Sequence, residues 1–364
     1  MNRTLLLANA ALWLLAMLLG AAFAVPRVLD YELSSSLTFL DGKVAADFER
    51  FLVKGHPWRD PSVNAWAAAE FALLGEGKPG VVVGSGGWLY TRDEFVLPSQ
   101  LGAVRAANLK RVADEVRALG AAGVRVYLLP VPGKVEIEPG HMPPALAAQA
   151  LKSEVFTDFL RAEGLPWIDV RPALLAAHAA GTPVFFRSET HWTPEGARIV
   201  ADVVALRLRA DGFAGDQAFR VTSQGQATLQ GDLENFVPVR PYFAALLPAP
   251  ERYTRYAIAG DTVADDAAAL FGDAGRPLAL VGTSYSADER WNFAGWLRAA
   301  LGSDLDNISE KARGPFVPMR HFRAQLASGA SSARWVVWEV PVRSIVADYD
   351  AMQRKLAAAG FKEE

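Results

Sequence analysis

Three residues of this 364-residue chain have the types that nucleophile-activating chemistry needs. In "FFRSETHWTPEGARIVADVV" (185–204), Glu189 and His191 are separated by one threonine. Along an extended segment, residues i and i+2 face the same side, so this spacing lets carboxylate and imidazole meet. A histidine oriented by an acid is half of a proton-abstracting device, and the other half is a hydroxyl or thiol. The chain has no cysteine, which leaves serine. The best-placed serine lies in "LALVGTSYSADERWNF" (278–293), where four apolar residues run into Gly282-Thr283-Ser284. Ser284 is therefore expected at the carboxyl end of a strand, with turn and helix-start amides available to an oxyanion. Ser286, just before Ala-Asp-Glu, reads as the N-cap of a helix starting near Ala287. The expected roles are Ser284 as nucleophile, His191 as base and Glu189 as the acid that holds the ring.

Each piece also has a plainer reading. An E-x-H triplet is common, and a histidine beside tryptophan before a helix is also what a packed structural histidine looks like. Glu195 lies one helical turn after His191, but no second histidine is near enough in sequence for a usual zinc set, so no metal site and no cofactor are expected. His56, His141, His178 and His321 have no motif around them and read as surface or packing residues. Glu339 and Arg343, in "WEVPVR", read as an internal ion pair or as part of the lining of the site. Trp88, Tyr90, Trp192 and Trp291 are candidates for sugar-stacking faces and equally for ordinary core aromatics.

These residues need a frame, and the pattern supplies one. Thr193-Pro194 is a helix start, followed by apolar positions Ile199, Val200, Val203 and Val204 and an end near Asp211-Gly212. Short apolar strands are expected in "GVRVYLLPVPGK", "LPWIDV", "RPLALVG" and "RWVVWEVPVR". Helices are expected over 101–120, over 144–163, after the serine turn, and at the end through Ile345, Tyr349, Met352 and Leu356. Strands alternating with such helices predict an α/β fold with a parallel sheet flanked by helices. Chemistry in such sheets gathers at the carboxyl ends of strands. The stretch 213–275 is less regular and reads as an insertion or a small β-rich lobe.

Hydrophobic residues make up 51% of the chain and charged ones 21%, which excludes extended disorder. A net charge of −3 gives no basic footprint, so nucleic acid is not an expected partner. Residues 4–24 carry no charge and are long enough to cross a bilayer. They read as an uncleaved signal anchor within 1–29, with a cleaved signal ending at Ala22-Phe23-Ala24 as the alternative. Arg3 on the inner side places residues 30–364, read as one main domain, outside the cytoplasm. One or two helices, broken at His56-Pro57, are expected next to the membrane.

Several stretches together resemble the alginate O-acetyltransferase family of the AlgJ and AlgX type, with its SGNH-hydrolase-like domain. They are "GVVVGSGGWLYTRDEF", "ETHWTPEGARIVAD", "LVGTSYSADERWNFAGWL", "RGPFVPM" and "VVWEVPVR", in family order. The tether and the chain length are more similar to the membrane-anchored AlgJ form than to the form with a C-terminal carbohydrate-binding module. The resemblance implies a periplasmic enzyme, held at the inner membrane, that moves acetyl groups onto an exopolysaccharide and is supplied by a multispanning membrane acyltransferase. It also implies an acid and histidine that precede the serine in the chain, as Glu189 and His191 precede Ser284. The family pattern has Asp-Thr-His-Trp where this chain has Glu189-Thr190-His191-Trp192, a departure of one methylene. A carbohydrate acetyl esterase and a non-catalytic polysaccharide assembly protein are the alternatives.

Overall fold

The computed structural model describes residues 3–33, 40–96, 102–260, 276–349 and 351. Contacts within the chain divide it into two units, Met1–Leu74 with Val237–Leu247, and Gly75–Phe236 with Pro248–Glu364. The sequence reading placed everything after residue 29 in one domain. In the structure, the helical segment up to Leu74 groups with the apolar N-terminal helix instead.

The first unit begins with α1 (Arg3–Leu29), of which Asn9–Leu29 has mean hydropathy 2.0 with none of its apolar window buried. Next come α2 (Lys43–Lys54) and α3 (Arg59–Ala69), interrupted at His56-Pro57 as expected. The end of α1 is fastened to α2. Arg27 Nε donates to the Phe51 carbonyl at 3.1 Å, and the Tyr31 hydroxyl donates to Asp47 at 3.0 Å.

The second unit opens with a hairpin of β1 (Val81–Val83) and β2 (Leu89–Thr91), then α4 (Ala103–Ala121), β3 (Arg125–Val131) and the single turn α5 (Lys134–Ile137). It continues through α6 (Glu154–Ala162), α7 (Arg171–Ala179) and α8 (Pro194–Ala210). An antiparallel ribbon follows, β4 (Phe219–Leu229) with β5 (Glu251–Gly260). After it come β6 (Leu278–Val281), α9 (Ser284–Ala287), α10 (Phe293–Leu301), β7 (Asp306–Asn307), α11 (Phe316–Ser328) and β8 (Trp335–Pro341).

The central sheet has the order β3-β8-β6-β7 and is parallel throughout. A bridge between Leu128 and Trp167 adds the "LPWIDV" segment at the β3 edge. Side chains alternate along each strand, and both alternating sets are buried, which is why the strands read as continuous apolar runs. Tyr127, Leu129, Leu278, Leu280 and Val337 pack with α8 and α10 on one face. Val126, Leu128, Ala279, Val281, Val336 and Trp338 pack with α4, α6 and α11 on the other. Burying each leucine or valine of this kind contributes about 1.5–3 kcal/mol, enough to fix the register of a four-residue strand.

Some elements differ from expectation. The helix expected over 144–163 is a 3-10 turn, Pro144–Gln149, followed by α6. Glu136 is the cause: its carboxylate accepts from the Ser153 amide (3.0 Å) and hydroxyl (2.5 Å) and fixes the chain in a bend there. The elements α7, β7 and α11 were not anticipated. Of the irregular stretch 213–275, the structure describes the ribbon as far as Gly260, and 261–275 lie outside the described residues. Met352 and Leu356 of the expected closing helix also lie outside them, while Ile345 sits in a 3-10 turn, Val342–Val346.

Candidate active site

Strand β6 ends at Val281, and three residues later the chain is in α9. Ser284 is the first residue of that turn, half-buried at the carboxyl edge of the sheet. The expected start near Ala287 is three residues late, and the expected cap is wrong. Thr283 is the N-cap, its backbone extended and its hydroxyl facing the Tyr285 amide. The Ser286 hydroxyl instead donates to Glu339 Oε2 at 3.1 Å. That carboxylate, fully buried on β8, also accepts from the Thr283 amide (2.6 Å) and the Thr283 hydroxyl (3.0 Å). Gly282 is required by this approach, because a Cβ there would lie 2.4 Å from Glu339 Oε2. Glu339 thus fixes the turn that presents Ser284, and Arg343 acts on it as a nearby positive charge while its own hydrogen bond goes elsewhere. Arg343 donates to the Tyr285 hydroxyl at 3.1 Å and lies 3.9 Å from Glu94.

His191 comes from the other side of the sequence, in the irregular entry to α8. Thr193 caps that helix as expected, accepting from the Gly196 amide at 3.0 Å and donating to the Pro183 carbonyl at 2.6 Å. The imidazole meets Glu189 Oε1 through Nδ1 at 2.6 Å and Ser284 Oγ through Nε2 at 2.7 Å. The structure therefore brings Ser284, His191 and Glu189 into one relay. The ring lies against Trp291, centroids 4.5 Å apart and planes 20° apart, and meets Tyr285 edge-on at 4.7 Å. Trp291 in turn is held by its indole N–H, which donates to the Tyr285 carbonyl at 3.0 Å.

An irregular buried segment must find partners for its backbone outside helix or sheet. Here side chains provide them. The Lys134 ammonium, fully buried at the start of α5, donates to the carbonyls of Phe186 (3.1 Å), Arg187 (3.1 Å) and Glu189 (2.9 Å). Glu251 Oε1 accepts from the amides of Arg187 (2.8 Å) and Ser188 (3.1 Å). Asp232 Oδ1 accepts from the Thr190 amide (2.8 Å) and hydroxyl (3.0 Å), and the Asp232 amide donates to Glu189 Oε2 (3.0 Å).

Burial dominates the electrostatics. It pushes the His191 pKa down to about 3, so the ring is neutral and able to accept a proton at neutral pH. It raises Glu189, against the pull of the Asp232 amide and of Arg290, whose guanidinium lies 3.9 Å away. Glu339 is pushed up to about 7 by burial, and Lys134 down to about 8 by the same cause. Burial also works against the charge on Asp288, but hydrogen bonds from Arg290 and Lys311 hold it at about 2.

Among the described residues, Glu189, His191 and Asp232 have donor atoms within 4.8 Å of one another. Both ring nitrogens already face protein partners, and Lys134 and Arg290 supply positive charge nearby. Glu195, weighed earlier as a ligand with His191, is not part of this group. The remaining histidines are packing or surface residues: His56 meets Phe23, His141 stacks on Trp88, His178 pairs with Glu138 and His321 with Glu310. Tyr90, Trp192 and Trp291 are completely buried, so of the four aromatic candidates for sugar stacking only Trp88 shows surface. Lys134 and Asp232 were not singled out by the sequence. The available signal for Lys134 was a lysine directly after a strand buried on both faces, and for Asp232 there was none.

Residues 81–342 match the family described as "SGNH hydrolase-like domain, acetyltransferase AlgX". The chain is 35% identical over its whole length to a probable alginate O-acetylase AlgJ of Azotobacter vinelandii, covering 96% of that protein. It is also 35% identical to the one of Pseudomonas aeruginosa, covering 96% of this chain and 93% of that one. Among solved structures, the O-acetyltransferase domain of Pseudomonas putida AlgJ superposes with a TM-score of 0.65 and 30% identity, over 76% of this chain and 95% of that domain. Pseudomonas aeruginosa AlgX shares the fold, with a TM-score of 0.54 and 21% identity, over 73% of this chain and 66% of that one.

Proposed function

The chain belongs to the SGNH hydrolase-like acetyltransferase family of the AlgX type, and from that premise we propose that it is an O-acetyltransferase that moves acetyl groups onto alginate hydroxyls through an acetyl-Ser284 intermediate. The observation that carries the reading is the continuous relay from Ser284 Oγ to His191 Nε2 (2.7 Å) and from Nδ1 to Glu189 (2.6 Å).

In the first half of the reaction, His191 Nε2 takes the Ser284 proton while Oγ bonds to the acetyl carbonyl carbon. The tetrahedral adduct collapses, the bond to the donor group breaks, and the leaving group departs with the proton from His191. In the second half, His191 takes a proton from a sugar hydroxyl, whose oxygen attacks the acetyl-serine. Ser284 leaves and recovers the proton. Glu189 stays ionised and stabilises the transient imidazolium, which burial otherwise disfavours. Transfer prevails over hydrolysis when sugar rather than water reaches the acetyl-enzyme.

The apolar helix α1 supports a chain anchored in the inner membrane, with the site on the periplasmic side and the exopolysaccharide as acceptor. A multispanning membrane acyltransferase delivers the acetyl group. The test is intact mass after exposure of the full chain to an activated acetyl ester, with and without alginate oligosaccharides. One acetyl adduct, absent in Ser284→Ala and passed to sugar, is the expected result. Discharge to water at the same rate with or without sugar identifies an esterase. No adduct on the wild type overturns the mechanism.

A further inference from the structure

His191 is backed by two carboxylates, of which Glu189 is only the nearer. Asp232 opens a 3-10 turn, Asp232–Phe236, directly after Gly231. Gly231 packs so closely on the Ser188 backbone that a Cβ would lie 1.9 Å from the Ser188 carbonyl oxygen, which places the Asp232 turn against the Glu189 segment. The contact is reciprocal. The Asp232 amide donates to Glu189 Oε2, and Asp232 Oδ1 accepts from both the amide and the hydroxyl of Thr190, the residue between the acid and the base. We propose that Asp232 is a second acid of this site, a positioning residue that locks the Glu189-Thr190-His191 segment and places a second negative charge behind the imidazole. The inference rests on the acyl-transfer reading above.

The charges around the ring make this more than a bracket. Facing His191 are Glu189 on its own segment, Asp232 on its turn, Asp288 and Arg290 on the loop before α10, and Arg343 after β8. Lys134 stands behind Glu189. Against the burial that disfavours the imidazolium, Asp232 is the strongest of the opposing charges. Burial also raises Asp232 itself, and the Glu189 charge raises it further. A buried and a half-buried carboxyl this close titrate as a pair, so the second acid provides a reserve of negative charge when the ring takes the serine proton. The Glu189 carboxylate spans from His191 Nδ1 to the Asp232 amide.

The variants Asp232→Asn and Asp232→Glu separate the two roles. Asparagine keeps the size and the Oδ1 acceptor for Thr190 but removes the charge, while glutamate keeps the charge. The readout is Ser284 acylation by p-nitrophenyl acetate in the full chain, measured as kcat and KM, alongside Ser284 labelling by a sulfonyl fluoride. In Asp232→Asn, both rates should fall about tenfold or more, the equivalent of one unit of lost imidazole basicity, with KM within twofold of wild type. Asp232→Glu should recover most of that loss. Asparagine with unchanged rates would reduce Asp232 to a hydrogen-bond acceptor and overturn the proposal. Equal losses in both variants would overturn it too. Wild type that labels at Ser284 but passes no acetyl to sugar would sink the transferase reading while leaving Asp232 standing. Wild type that does not label at Ser284 would sink both.

Discussion

The two arms of the site are built by different means. On the serine arm, a strand buried on both faces passes through a glycine turn into α9. Its backbone is satisfied mostly within itself, as where the Ser286 and Ala287 amides return to the Thr283 carbonyl (3.0 and 2.9 Å). Groups from nearby elements complete it: Glu339 takes the Thr283 amide and the Ser286 hydroxyl, and the Trp291 indole, the Asn307 side chain and the Glu310 amide donate to the carbonyls of Tyr285, Ser286 and Gly282. On the histidine arm, residues 186–190 belong to no regular element, and besides backbone donors from Leu89 and Leu233 it is the side chains of Lys134, Glu251 and Asp232 that supply most of their partners. The difference shows that a reactive residue at the end of a strand inherits its position from the sheet. One in an irregular buried segment needs distant polar side chains, each of which must be paired where it stands.

The comparison breaks hardest at Lys134. Lys134→Met removes the ammonium donor from three carbonyls and one of the positive charges that face Glu94, Asp232, Glu251 and Glu189, so about 3–5 kcal/mol of stability should be lost. Urea melts measure this. Loss of the histidine arm alone would leave melting cooperative and acylation abolished, whereas a melt equal to wild type would contradict the role given to the ammonium.

Changes of pH act on the two arms in opposite directions. The His191 pKa is depressed in the folded state, so its stabilising contribution is complete above its ordinary value of 6.5 and is lost as pH falls toward about 3. The Glu339 pKa is raised, so its contribution is complete below 4.5 and is lost as pH rises through about 7. As pH rises from 4.5 to about 7 the Glu339 contribution is lost, and as it falls below 6.5 the His191 contribution is lost, so the two oppose each other between pH 4.5 and 6.5. Glu339→Gln should remove the loss of urea midpoint that accompanies a rise from pH 4.5 to about 7 and leave the His191 loss in place, and an unchanged slope in that window would show that Glu339 is ionised throughout.

The smallest effect is expected where the histidine arm meets regular structure. Thr193→Ala removes the cap of α8 and should cost about 1 kcal/mol. Thermal melting should show a shift of a few degrees with acylation nearly intact. A large loss of rate would mean that the cap also sets the ring position.

The helix start that carries His191 was legible because Thr193-Pro194 is a local signal. The strand that carries Ser284 was legible because "LALV" is buried on both faces and bounded by a proline and a glycine. The spacing of Glu189 and His191 allowed their contact without requiring it, and no spacing pointed to their contact with Ser284. Ninety-three residues separate the histidine from the serine, and only the packing of α8 and α10 on one face of the sheet brings the two arms together. The cap of α9 was misread for a related reason. Ser286 and Thr283 are both good caps in isolation, and the choice was made by Glu339 from a neighbouring strand. Lys134 and Asp232 left almost no mark on the sequence, since a buried lysine or aspartate looks like any surface charge until its partners are known. Residue types and short-range periodicity therefore determined strands β3, β6 and β8, helices α4 and α8 and the three candidate site residues, but not β7, α7 or α11. Tertiary structure alone decided which buried charges hold them, because a charge out of water is tolerated only where the fold supplies its partners.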